Sequence, residues 1–280
     1  MGANQFSVGC DLNYTVSGPG AFIFNVSVVE NAFQRVLSEE FTTEPELKVI
    51  ASRSPTEDKR HHRFTTGACL LKVHYAATVE LSHHTSAPDQ VRETPPGELP
   101  ADVVPYLYPS RYCESDKLVR LATHEFGKLQ PGFSRVTAIC NWIRENVEYL
   151  RGSTNPLTSA YDTATERAGV CRDFAHLAIA FCRAVAIPAR FVAGYAFALE
   201  PPDFHAYFEA WLDGRWYIFD PSRLAPQTSL IRIGTGRDAA DTSFATIFGP
   251  VVFSSMKITM KSLDGNTPVY TTDAISTAGP

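Results

Sequence analysis

The chain reads as an α+β protein: an all-β, sandwich-like N-terminal portion followed by helices packed on an antiparallel sheet. Two changes along the sequence suggest this division. Up to about residue 85, short runs rich in β-branched residues and leucine follow one another between turn signals. After residue 115, apolar residues recur every three or four positions, the helical period, before strand-like runs return near residue 190. Between these regions lie Pro88, Pro95, Pro96, Pro100, Pro105 and Pro109, a linker-like composition. The expected organisation is a β domain over 1–85, a Pro-rich linker over 86–115, and a second domain over 116–280 that ends in a C-terminal β extension.

The elements follow in order. Phe22–Val29 is a strand-like run opened by the turn Gly18-Pro19-Gly20. Leu47–Ser52 and Cys69–Val79 are further strand candidates. Asp116–Phe126 and Phe133–Tyr149 read as helices, and Leu150–Gly169 as a long polar loop. A helix is expected over Cys171–Ala186, because Phe174, Leu177, Ala178, Phe181, Cys182 and Val185 step by three and four. Ala175, Ile179 and Ala186 widen its apolar face, so it should be buried on most sides, and Pro188 stops it. Strands follow at Arg190–Ala198, His205–Leu212 and Arg215–Asp220. The dipeptide Asp213-Gly214 predicts a two-residue type I′ turn joining the last two.

Composition narrows the function. The 280 residues are 44% hydrophobic and 20% charged, a globular profile, and the net charge of -5 offers no basic field for nucleic acid or an anionic membrane. Neither partner is expected. Met1–Gly20 lacks a cationic start and apolar core, Phe6 stands where a myristoylation signal needs Ser or Thr, and no apolar run approaches a membrane span. A cytoplasmic location is the expectation. The six cysteines are scattered without a CxxC pair and are read as reduced, with Cys140 and Cys182 as core residues.

The chemistry centres on Cys171, which opens the buried helix in the stretch Ala168-Gly169-Val170-Cys171-Arg172-Asp173. The positive end of a helix macrodipole favours a thiolate there. His205 and Asp220 follow in the order nucleophile, base and orienting carboxylate. The two-residue turn pairs Leu212 with Arg215 and, by extension, Tyr207 with Asp220, so His205 and Asp220 become diagonal neighbours on one face. A three-residue turn would put them on opposite faces. The expected reaction is attack of the thiolate on an amide or peptide carbonyl, giving a thioester that water or an amine then resolves. The Cys171 main-chain N–H at the helix start is one natural oxyanion donor, and the second is unassigned.

Other groups have plainer readings. Asp173, His176 and Arg172 are taken as structural, and Gly234–Asp241 as a glycine-rich stretch without a phosphate-binding pattern that could wall the cleft. His61-His62 and His83-His84 are read as surface pairs, because adjacent strand residues point to opposite faces. Tyr207 either lines the cleft or packs.

The segments Gly152–Ala160, Gly169-Val170-Cys171-Arg172-Asp173-Phe174-Ala175-His176, Ile187–Tyr195, His205–Trp211 and Asp220-Pro221 together resemble the transglutaminase-like superfamily, and more closely its bacterial branch with an N-terminal β domain. The resemblance covers roughly residues 115–240. It implies a papain-like α+β core with the cysteine on a central helix and His and Asp on neighbouring strands. It also implies Cys171 as nucleophile, His205 as base and Asp220 as orienting group. Animal members supply an indole to the oxyanion from upstream of the cysteine; the nearest upstream tryptophan here, Trp142, falls in an expected helix and reads as core. Nothing resembles the acidic calcium loops of those enzymes, so neither metal nor cofactor is expected. The chain is therefore expected to be a cysteine amidase, peptidase or acyltransferase acting on protein or peptide substrates. The competing reading is a non-catalytic protein-binding module on the same scaffold.

Overall fold

The structure, a computed structural model, describes residues 4–54 and 58–278. Met1 and Gly2, where a lipidation signal was considered, lie outside the described residues. The chain begins with β1 (Asn4–Val16), β2 (Gly20–Phe24), β3 (Gln34–Glu44), β4 (Ile50–Arg53), β5 (Arg60–Thr66), β6 (Cys69–Leu81) and β7 (His84–Ser86). Helices α1 (Ser115–Phe126) and α2 (Phe133–Asn146) follow, then β8 (Glu148–Tyr149), α3 (Ala160–Glu166), β9 (Ala168–Gly169) and α4 (Cys171–Ala184). The remaining strands are β10 (Ala189–Ala196), β11 (His205–Leu212), β12 (Arg215–Phe219), β13 (Leu230–Gly236), β14 (Ala245–Phe248), β15 (Val251–Ser262) and β16 (Ala274–Ser276). The result is the expected α+β class. None of the described helices is long and apolar enough to cross a membrane.

The N-terminal strands form two four-stranded sheets, ordered β15-β1-β6-β3 and β14-β2-β5-β4. Their inner faces follow from period-two alternation: Phe6, Val8, Leu12 and Tyr14 of β1 and Leu71, Val73, Tyr75 and Val79 of β6 point inward and are buried. From the other sheet, Phe22, Phe24 and Phe64 stack on one another at centroid separations of 5.3–6.0 Å. The strand expected over Phe22–Val29 ends at Phe24, yet Val26 and Val28 stay buried in irregular chain.

One further expectation is corrected. The C-terminal β extension exists, but β14 pairs with β2 and β15 with β1, so residues 245–262 complete the N-terminal sheets rather than extending the second domain. Without β15 the long strand β1 would expose a hydrogen-bonding edge, which is a liability. The Pro-rich linker over 86–115 is itself packed on the second domain. Val91, Val103 and Cys113 along it are buried, and the Asp213 N–H donates to Arg92 O at 2.9 Å. Apolar residues spaced between the prolines seat it as a strap on the second domain.

Helix α4 lies against the sheet ordered β12-β11-β10-β13. Phe174, Leu177, Ala178 and Phe181 meet Phe191, Phe208, Ala210 and Phe219 in one continuous core, and α1, α2 and α3 cover the outer side of the helix. A short turn reverses the chain from the end of α4 into β10, so α4 runs antiparallel to that strand. Its N-terminus is carried to the end of the sheet where β11 begins, since Gly194 pairs with His205. That reversal brings Cys171 and His205 together.

Candidate active site

The β11–β12 hairpin has the register that Asp213-Gly214 implied. Leu212 pairs with Arg215 and Phe208 with Phe219, and the turn residues have φ of 49° and 74°, as a type I′ turn requires. His205 opens β11 and Asp220 follows the last residue of β12. The buried His205 Nε2 lies 2.8 Å from Asp220 Oδ2.

The protonation pattern follows from the partners. Asp220 Oδ1 accepts from the Ser222 N–H at 2.9 Å and the Ser222 hydroxyl at 2.6 Å, while Oδ2 faces His205. Burial raises the carboxyl pKa, but the His205 charge, its hydrogen bond and the Ser222 donors outweigh this and hold it below the ordinary carboxylate value. An ionised Asp220 can only accept, so the Nε2 proton belongs to His205. Burial alone would pull the imidazole pKa down; the opposing charge and hydrogen bond of Asp220, helped by the nearby Cys171 thiol, push it up to about 10. His205 Nδ1 is buried and has no hydrogen bond of its own. It is the nitrogen left to face the thiol.

Cys171 is the first residue of α4 and is half-buried. The head of the helix is fixed by Asp173, whose Oδ2 accepts from the Val170 N–H at 3.0 Å and the Thr154 hydroxyl at 2.9 Å. Arg172 closes the same carboxylate and donates to Asn155 O at 2.8 Å, tying the 150–158 loop to the helix. His176 is buried, stacks on Tyr112 at 5.1 Å, and its Nε2 accepts from the Ala239 N–H at 3.1 Å. Arg172, Asp173 and His176 therefore have the structural roles expected of them. The stretch 234–241 meets this network from behind, with Asp238 accepting from the Tyr112 N–H at 2.8 Å.

Some residues depart from expectation. His62 is buried, stacked on Phe41 at 4.0 Å and bonded to the Ser27 hydroxyl at 2.8 Å, and the ring nitrogens of His83 are buried. Neither pair lies wholly at the surface: the alternation of β5 turns His62 inward with Phe64, and half-buried His83, between β6 and β7, has its ring nitrogens enclosed. Tyr207 is fully buried and packs alongside His205, at 6.4 Å between ring centres. Trp142 is half-buried and packs edge-on against Phe181 at 5.2 Å, at the margin of the core.

Two features were not anticipated. Glu209 is fully buried between Arg190, at 2.7 Å, and Arg232, which also reaches Asp58 of the N-terminal portion at 3.3 Å. A charged residue amid an apolar strand and an Arg at position 190 were the available signals. Tyr149 in β8 is paired with Gly169 and so becomes a neighbour of Cys171. All six cysteines are free, and Cys140 and Cys182 are buried as expected.

Comparison with known proteins identifies the family and the fold. A family model described as the transglutaminase-like superfamily matches residues 120–221, and one described as the bacterial transglutaminase N-terminal domain matches residues 4–101. A solved structure, a provisionally assigned cysteine protease from Cytophaga hutchinsonii, is 44% identical with a TM-score of 0.94, covering 99% of this chain and 98% of that one. An uncharacterised protein of Mycobacterium leprae is 31% identical over 149 residues, covering 49% of this chain and 52% of its own length. One from Mycobacterium tuberculosis is 31% identical over 162 residues, covering 52% and 51%. The chain thus spans about half the length of the curated relatives it matches.

Proposed function

Since this chain belongs to the transglutaminase-like superfamily, in its bacterial branch with an N-terminal β domain, we propose that it is a cysteine-dependent acyl-transfer enzyme acting on amide or peptide bonds of protein or peptide substrates. Cys171 is the nucleophile, His205 the base and then acid, and Asp220 the group that orients and charges the imidazole. One observation carries the reading: Asp220 engages Nε2 of a buried His205 and leaves Nδ1, otherwise unbonded, for the Cys171 thiol.

In the reacting pair the thiol proton already rests on His205 Nδ1; the thiolate sulfur bonds to the carbonyl carbon, and the carbonyl electron pair moves to oxygen. As the tetrahedral intermediate collapses, the C–N bond breaks and His205 returns the proton to the departing ammonia or amine. A thioester remains on Cys171. Water resolves it by hydrolysis and a primary amine by transamidation. Hydrolysis is the favoured outcome, because water needs no second binding site.

The test uses casein with and without a dansylated primary amine, comparing wild type with Cys171→Ala. The wild type should release peptides or ammonia, or incorporate the dansyl group, and Cys171→Ala should do none of these. Equal activity in the two proteins would sink the proposal.

A further inference from the structure

Attack on a carbonyl puts negative charge on its oxygen, and sites of this kind hold that charge with preorganised donors, usually more than one. The main-chain N–H of Cys171 is one, since the first amides of a helix have no partner within it. Nearby side-chain donors are mostly committed elsewhere. Trp142 Nε1 donates to Glu125 at 3.1 Å, the Thr154 hydroxyl to Asp173 at 2.9 Å, and the Tyr112 hydroxyl to Pro156 O at 2.8 Å.

Tyr149 is placed differently. Strand β8 pairs in parallel with β9, matching Tyr149 to Gly169, two residues before Cys171. The Leu150 N–H donates to Gly169 O at 3.0 Å and the Glu148 N–H to Arg167 O at 2.8 Å, which fixes the backbone on both sides of Tyr149. The ring packs edge-on against Phe174 at 5.5 Å, and Phe174 lies one helical turn beyond Cys171 on α4. That position makes Tyr149 a neighbour of Cys171, beside both its main chain and its thiol.

We propose that Tyr149 Oη donates the second hydrogen bond to the oxyanion formed at Cys171, completing a hole whose other donor is the Cys171 N–H. The assignment rests on the acyl-transfer reading above. A carbonyl oxygen entering beside Cys171 then accepts from the main-chain amide and the phenol together. Tyr149 keeps its proton throughout. Burial, and then the neighbouring Cys171, push its pKa up to about 12, so it stays a neutral donor across the working range.

The test compares wild type, Tyr149→Phe and Cys171→Ala in two reactions. The first is acylation by p-nitrophenyl acetate, read as the burst of nitrophenolate; it passes through an oxyanion. The second is alkylation by iodoacetamide, a displacement at saturated carbon that forms none. Tyr149→Phe retains the ring that packs on Phe174, and its alkylation rate reports whether the thiol site is native. We expect its acylation to fall about 100-fold while alkylation stays within about twofold of wild type. Acylation at the wild-type rate would overturn the assignment and leave the acyl-transfer reading standing. Equal slowing of both reactions would also overturn it, by placing Tyr149 in support of the thiol instead. A wild-type burst no larger than that of Cys171→Ala would overturn the acyl-transfer reading itself.

Discussion

Asp220→Asn replaces a carboxylate with an amide of nearly the same shape, and the structure indicates which way that amide must turn. Asp220 Oδ1 accepts from the Ser222 N–H at 2.9 Å and the Ser222 hydroxyl at 2.6 Å, and Oδ2 faces His205 Nε2 at 2.8 Å. The hydroxyl can rotate to become an acceptor, but the main-chain N–H cannot. An amide NH2 placed on the Ser222 side would set donor against donor in a buried site, at about 1–3 kcal/mol, roughly a five- to 150-fold bias against that orientation. The NH2 therefore turns to His205, Nε2 must accept, and the ring proton moves to Nδ1. An imidazole protonated on Nδ1 cannot take the thiol proton. The loss of charge also removes what keeps the imidazole protonated against burial. We expect acylation of Cys171 at pH 7 to fall about 10²- to 10⁴-fold, the range for losing a general base or its tautomer. Stopped-flow burst kinetics measure it. Retention of more than about half the wild-type rate would refute the tautomer argument, since base catalysis contributes at least about 10².

Three further outcomes are expected. Glu209→Ala leaves the buried Arg190 and Arg232 guanidiniums without their shared carboxylate and should lower stability by about 3–5 kcal/mol in guanidinium denaturation; a loss below about 1 kcal/mol would show that the network contributes little. Gly169→Ala places a Cβ 2.8 Å from Asp173 Cβ and 3.4 Å from Thr163 Cγ2, so it should displace the head of α4, slow Cys171 alkylation and cost about 1–3 kcal/mol, whereas an unchanged alkylation rate would contradict this. His205 gains pKa on folding, from 6.5 to about 10, so its stabilising contribution is complete below pH 6.5 and disappears as pH rises through about 10. Asp220 is depressed below 3.8, so its contribution is present above that value and is lost on acidification. The stability difference between wild type and His205→Gln should therefore shrink between about pH 7 and pH 10.5, and a constant difference would refute the assignment of charge.

The site residues were more legible in sequence than the fold that carries them. Asp213-Gly214 set the hairpin register because a type I′ turn needs two positive φ values, and that register alone placed His205 beside Asp220. Strand β1 is not legible in isolation, because Gly9, Asp11 and Asn13 on its outer positions disfavour strands; its inward residues are held by β6 and β15, both distant in sequence. Helix α3 lies within a stretch whose polar composition reads as loop, although Ser159 and Asp162 form a capping box that the spacing Ser-x-x-Asp advertises. The role of the 86–115 strap could not be read from its prolines, because its ordering comes from Val91, Val103 and Cys113 finding partners on the second domain. Tyr149 carried no local signal at all. Its relevance arises from a two-residue parallel pairing that only the folded chain creates.

The central claim is that Cys171 and His205 act as a pair, and the pH dependence of cysteine alkylation by iodoacetamide tests it most directly, read residue by residue by mass spectrometry in wild type and His205→Ala. In the wild type, Cys171 should react readily well below pH 8, when an ordinary thiol with a pKa of about 8.5 is still largely protonated. Buried Cys10, Cys113, Cys140 and Cys182, whose pKa values burial raises, should stay unlabelled. His205→Ala should remove the low-pH reactivity of Cys171. A Cys171 that reacts no faster than the other cysteines, or one whose profile is the same without His205, would contradict the pairing.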